Sequence, residues 1–184
     1  RPKSLMQIQP VLGLFEAPMI NVVGNHDDDT FGRKHYVEAL AMPGAYYTFT
    51  RTGWRFIVLD STEGDRHRRT VGDEQVQWLK GVLAGSSRPI IVFSHHPLFS
   101  LSPDHNVRNN LQLHKLFVES GVVAHMSGHF HVGGYTVQDG IHYLTLHGMA
   151  ETKRNNSFAI ISLYADRIDV DGYGLEPDRT LRIK

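Results

Sequence analysis

Apolar residues open the chain at helical spacing: Leu5, Ile8, Leu12 and Phe15 recur every three or four positions, with Pro10 placed to kink or interrupt the helix they predict. Residues 18–23 form a short apolar run that stops at Gly24, the pattern of a buried strand entering a sharp turn. β-Rich runs at 46–50 and 54–60 flank Arg51-Thr52-Gly53 and predict a hairpin. Within 74–84, Val76, Leu79, Val82 and Leu83 share one helical face, and Asp73 stands where it could cap that helix. The alternation continues with a buried strand at 89–94, a helix at 108–120 and another buried strand at 122–127. After that the chain changes character: 134–137, 141–146, 158–164 and 168–172 read as strands on short connections, one of them the hairpin pair Asp139-Gly140. Alternating β and α followed by a β-meander predicts an α/β fold of two sheets with helices packed outside. No repeat, linker or low-complexity segment divides residues 1–184, so they read as one domain.

Composition narrows the function classes. Lys+Arg and Asp+Glu both number 19, so no global charge draws the chain to nucleic acid or to an anionic membrane. A phosphate-bearing small molecule would have to be held locally, by metal ions or a few arginines. No apolar run reaches bilayer-spanning length. The absence of cysteine excludes disulfides and thiolate ligands. The chain opens on Arg1, and residues 1–15 have none of the features of a signal peptide. It reads as the interior of a longer protein, with the cytoplasm favoured as its compartment and the oligomeric state undetermined.

Twelve histidines is a high count, and their placement carries the chemistry. Three predicted strand ends deliver polar clusters: Gly24-Asn25-His26-Asp27, His95-His96-Pro97 and Gly128-His129-Phe130-His131. Ligands of α/β sheets gather beyond the carboxyl ends of strands, so three such clusters can converge on one site. Asn offers a carbonyl oxygen and neutral His an imidazole nitrogen, both suited to borderline divalent ions such as Mn, Fe and Zn. Taken singly, a strand-end histidine is more often a hydrogen-bonded structural residue than a ligand, and Asn-His-Asp after a glycine can be only a turn. All three, in order and each directly after an apolar run, point to a site.

Gly-Asn-His-Asp, then a strand ending in His, then Gly-His-x-His resembles the last three signature motifs of the calcineurin-like metallophosphoesterases. The resemblance implies a two-sheet β-sandwich flanked by helices, in four αββα layers, here without its N-terminal βαβ portion. It also implies a dinuclear metal centre for two divalent ions, Mn favoured. Asn25, His95 and His129 would hold one ion and His131 the other, with His95 rather than His96 as the ligand and His96 turned away from the site. The implied catalytic residues are His26, a proton or hydrogen-bond donor to the phosphate or leaving oxygen, and Asp27, which would orient the imidazole. A narrower likeness, to the manganese-dependent ADP-ribose/CDP-alcohol diphosphatase group, lies in 53–60, Gly72-Asp73-Glu74-Gln75 with Trp78-Leu79, Gly133-Gly134-Tyr135 and Asp139-Gly140-Ile141-His142. It implies hydrolysis of phosphoanhydride or phosphodiester bonds in nucleotide-type small molecules. A cyclic-nucleotide phosphodiesterase, a phosphomonoesterase and a non-catalytic module of the same fold are the alternatives.

The family's first two motifs, Asp-x-His and Gly-Asp, do not occur before Gly24. The residues point the same way, because Asn25, His95, His129 and His131 are all neutral and cannot offset two divalent charges. The expected bridging aspartate therefore lies upstream, in a segment of about 60–90 residues judged from ordinary domain size. Asp28, Asp29 and Asp60 are local acids, the first two read as a solvated turn. His105, His114, His125, His142 and His147 lack ligand spacing and are read as structural or surface. His35, His67, the Arg66/Arg68/Arg69 cluster, Tyr135 and Asn110 are open between substrate contact and structure.

Overall fold

A computed structural model of the chain describes residues 10–27, 32–63, 69–149 and 156–183. Its architecture follows from where alternation places apolar side chains. In β3 (Ile90–Phe93), Ile90 and Val92 face one way and Ile91 the other, and all three are buried. The first face meets the amphipathic helices α2 (Asp73–Leu83) and α3 (Asn110–Glu119) through Val76, Leu79, Leu113 and Phe117. The second face meets another sheet through Ile168, Val170 and Leu181. A strand covered on both sides must be apolar throughout, which is why 89–94 and 122–127 read as continuous runs.

The main sheet has six strands in the order β1-β2-β3-β4-β6-β5. β1 (Tyr47–Arg51) and β2 (Trp54–Val58) form the expected hairpin. Thr52 and Gly53 at its turn both have positive φ, 48° and 85°, as a two-residue type I′ connection requires. β2, β3, β4 (Val122–Ser127) and β6 (Ile141–Thr145) are mutually parallel, and β5 (Gly134–Gln138) closes the far edge antiparallel to β6. The four parallel strands therefore end on one edge of the sheet. The second sheet is a meander of β7 (Phe158–Leu163), β8 (Arg167–Tyr173) and β9 (Arg179–Arg182).

The structure departs from the sequence pattern at several points. Residues 18–24 carry no strand ladder among the described residues; Val23 is buried by packing beside Met42, Tyr47 and Val58. Gly72, not Asp73, is the N-cap of α2, and Asp73 and Glu74 sit in its first turn, where the helix dipole favours negative charge. Helix α1 (Arg33–Ala39) has no fully buried residue, and β9 has one buried apolar side chain, Leu181, so neither left a periodic signal. Of the opening helical pattern, Leu5 and Ile8 lie outside the described residues, and only 10–12 form a helical turn. Helices α2 and α3 flank one face of the main sheet. Phe158, Ile160 and Tyr173 on the outer face of the second sheet are exposed, and an outer helical layer there has no counterpart among the described residues.

Within β9, Leu181 alone reaches the core between the sheets. Leu181→Ala is expected to lower the unfolding free energy by about 2–5 kcal/mol. Leu111→Ala, at a position 70% exposed on α3, is expected to change it by less than about 0.5 kcal/mol. Urea unfolding of the two variants measures the difference.

Candidate metal centre

The parallel strands release their chains together, and short cross-ties aim the residues just past the strand ends. Gly128 N–H after β4 donates to the His95 carbonyl after β3, at 3.0 Å. His96 N–H donates to Ser61 Oγ after β2, at 3.0 Å. Ser94 Oγ donates to the His96 carbonyl at 2.6 Å and so must accept from His125 Nε2–H, 2.8 Å away. That contact fixes the tautomer of His125 and leaves its buried Nδ1 without a partner. His129 adopts φ 62°, a left-handed conformation costing a non-glycine residue about 1–2 kcal/mol. This backbone turn brings its ring back over the end of β3.

Three donor atoms meet as a result. His95 Nε2 lies 2.8 Å from Asn25 Oδ1 and 3.2 Å from His129 Nδ1. Tetrahedral ligands bonded at about 2.0–2.1 Å stand about 3.4 Å apart, close to the spacing seen here. Asn25 starts a helical turn over 25–27, entered from the buried backbone at Val23 and Gly24. A Cβ on Gly24 would come within 3.0 Å of His95 Nδ1 and 3.2 Å of Asp27 Oδ2, so glycine lets this turn close on the imidazole. His131 and His26 line the same cavity of ≈ 800 Å³, both exposed to it.

His96 departs from expectation. It is not turned away: its ring centroid is 4.8 Å from that of His95 and 4.3 Å from that of His129. His95, His96 and His129 each offer a nitrogen within 4.8 Å of the others, and His96 Nε2 is buried without a partner. The Asp27 carboxylate accepts from Gly24 N–H at 2.9 Å and so ties down the backbone of its own turn. Burial pushes the Asp27 carboxyl up, opposed by the Gly24 hydrogen bond and by His26.

Burial is also the first cause holding the clustered imidazoles neutral. His95 is pushed down to about 3 by desolvation, then by His129, His26 and His131. His96 falls to about 2, through desolvation and then His95, His129 and Arg69. His129 falls to about 4, through desolvation and then His105, Arg69, His131 and His26. Neutral rings keep the lone pair that a metal needs. The donor set therefore fits a borderline divalent ion, but among the described residues the histidine cluster contains no carboxylate. Asp60, fully buried, is taken by Arg33 Nε at 2.7 Å and by the Thr62 N–H and hydroxyl. Glu63 accepts from Gln75.

Two histidines read as structural from sequence line the cavity, His105 on a 3₁₀ turn (Pro103–His105) and His147 just past β6. His147 follows the same strand-end rule as the three clusters, so the signal was present once β6 was placed. Arg69 stands near His96 and His129 by its electrostatic effect on both, while Asp28, Asp29, Arg66, His67 and Arg68 lie outside the described residues. His114 bonds Tyr143 and Asp139, His142 bonds Tyr135 and the Arg182 carbonyl, and Asn110 donates to the Leu98 carbonyl. These are structural ties away from the cavity. His35 is exposed on α1.

Comparison with known proteins gives consistent likenesses. A profile of the calcineurin-like phosphoesterases matches residues 4–133. The manganese-dependent ADP-ribose/CDP-alcohol diphosphatase of Bos taurus is 29% identical, over 60% of this chain and 35% of its own length. Its Arabidopsis thaliana counterpart is 26% identical over 86% of this chain and 68% of its own length. The chain thus spans about a third of the length of the animal relative it matches. A dimetal phosphatase structure from Danio rerio superposes with a TM-score of 0.85 at 21% identity, covering 100% of this chain and 78% of that one, which shows the shared fold. Among the described residues no helix is long and apolar enough to cross a membrane.

His125, behind the centre, provides a test of the buried-imidazole argument. Desolvation holds it down to about 3, against about 6.5 for a free imidazole. Above pH 6.5 neither state binds this proton. Between pH 6.5 and 3 the unfolded chain takes it up and the folded one does not, so stability falls with pH, by at most about 1.4 kcal/mol per pH unit for one group. The unfolding free energy measured from pH 7 to 5 is expected to decline, and His125→Phe to decline less steeply by about one proton's worth.

Proposed function

The chain belongs to the calcineurin-like phosphoesterase family, and from that premise we propose that it forms the histidine-rich part of a dinuclear centre hydrolysing phosphoanhydride or phosphodiester bonds of nucleoside diphosphate–type small molecules. The convergence of Asn25 Oδ1, His95 Nε2 and His129 Nδ1 within 2.8–3.2 Å of neighbouring atoms carries the reading. Asn25, His95 and His129 would hold one divalent ion and His131 the other, Mn favoured, and the ions would supply positive charge to acidify a water and polarise the phosphoryl group. The substrate class is supported by the names of the relatives from Bos taurus and Arabidopsis thaliana.

The chain's own residues supply the rest. His26, exposed on the cavity wall beside Asn25, is placed to hydrogen-bond a phosphoryl oxygen and to give a proton to the departing oxygen. Asp27 acts on it indirectly: by accepting from Gly24 N–H it fixes the turn that carries both Asn25 and His26. Phe130, Val132 and Leu175 give the cavity an apolar wall suited to the organic part of the substrate. The missing negative charge is proposed to come from a carboxylate outside the described residues. A second cleft of ≈ 500 Å³, bordered by His95, His129 and His131 and walled by Val22, Phe93 and Met126, leaves room for one beside the centre.

The 184-residue chain by itself is expected to bind Mn²⁺ weakly and hydrolyse little. Turnover of ADP-ribose, cyclic AMP and an aryl phosphate by this chain and by an upstream-extended version measures both the deficit and the substrate class. Equal turnover by the two versions would show that no further carboxylate is needed.

In the protein at its full encoded length, His129→Ala is expected to lose metal. His26→Ala is expected to keep its metal content while slowing hydrolysis about 10²–10⁴-fold, least for substrates with good leaving groups. Metal analysis beside rates on good and poor leaving groups checks both. A metal equivalent lost from His26→Ala, or equal slowing of all substrates, refutes the proton-donor role.

A further inference from the structure

The wall of the cavity beyond His131 is built around a buried ion network that the metal centre does not use. Glu176, in the turn after β8, has a carboxylate only 1% exposed. Its Oε2 accepts from the His147 backbone N–H at 2.9 Å and from His147 Nδ1–H at 3.0 Å, and its Oε1 accepts from Arg179 Nη1 at 2.7 Å. Bonding at Nδ1 leaves Nε2, on the opposite edge of the ring, as the nitrogen that His147 presents to the cavity it lines.

The loops on either side interlock to hold this ring. A Cβ on Gly133 would strike the His147 imidazole, and one on Gly148 would come within 2.7 Å of His131 Cγ. Gly148 N–H also donates to the His131 carbonyl at 3.0 Å. Each glycine makes room for the other loop's histidine, so His131 and His147 are packed in fixed relation. His147 and Glu176 both lie beyond the residues matched by the family profile.

Resting on the phosphohydrolase reading above, we propose that His147 is a substrate-positioning residue: as the imidazolium whose Nδ1–H is bound by Glu176, it donates Nε2–H to a second phosphate adjoining the one held at the Asn25–His95–His129 centre, and so favours diphosphates over monophosphates. The cavity that holds this centre is also lined by His131, His147 and Leu175, and the glycine contacts set the His147 ring beside the loop that carries His131. A buried carboxylate behind the imidazole keeps the ring from rotating, so the hydrogen bond costs little ordering when it forms.

The test is equilibrium binding of three probes to the protein at its full encoded length: Mn²⁺ alone, then inorganic phosphate and α,β-methylene-ADP to the Mn²⁺-loaded protein. His147→Ala is expected to weaken α,β-methylene-ADP about 10–100-fold, the range for one hydrogen bond to a charged group, with Mn²⁺ and phosphate binding within about twofold. His147→Asn keeps a partner for Glu176 but does not reach the cavity, and is expected to match His147→Ala. His147→Gln places an amide near the Nε2 position and is expected to restore most of the affinity. Unchanged α,β-methylene-ADP binding, equal loss for phosphate, loss of Mn²⁺, or wild-type behaviour of His147→Asn would each overturn the inference. A wild-type protein that takes up neither Mn²⁺ nor phosphate would instead overturn the reading of the centre itself, and this inference with it.

Discussion

Burial of uncharged imidazoles at one edge of a parallel sheet is the constraint on which this structure depends. Four parallel strands end side by side, and the residues after them must leave the core without stranding their backbone groups. Gly128 N–H on the His95 carbonyl and His96 N–H on Ser61 do this, and in doing so they bring the side chains together. Desolvation then holds the rings in their neutral form, each with one lone pair, their donor atoms crowded at 2.8–3.2 Å. A cluster of this kind is poor at holding a charge alone and well suited to sharing one with a cation.

The same edge explains the division of labour around the cavity. One side offers nitrogen and amide oxygen from Asn25, His95 and His129. The other offers an apolar wall and His147, set by Glu176 and Arg179 from the second sheet. The meander β7–β9 is thus more than a cover for the main sheet. Leu181 anchors it to the core, and the turn after β8 delivers the carboxylate that orients a cavity residue. Charge within the described fold is committed to structure: Asp60 to Arg33 and Thr62, Glu63 to Gln75, Glu176 to Arg179 and His147. This is why the histidine cluster stands without a carboxylate of its own among the described residues.

Sequence alone determined the alternating elements and the three polar clusters, because period-two and period-3.6 patterns are local and strand-end motifs come directly after them. It named Asn25, His26, His95, His129 and His131, which line one cavity, and both hairpin turns, where Thr52-Gly53 and Asp139-Gly140 have positive φ. Tertiary structure decided what depends on neighbours distant in the chain. β9 was invisible because one apolar residue, Leu181, carries no period, and residues 18–23 looked like a buried strand because their run is apolar, yet Met19 and Ile20 are exposed, Val23 alone is buried, and no ladder partner stands beside them among the described residues. His96 was expected to turn away, yet Ser61, 35 residues earlier, holds its ring against His129. His147 stood at a strand end in the sequence, but what sets its ring at the cavity is Glu176, 29 residues later, and the packing of two glycine loops.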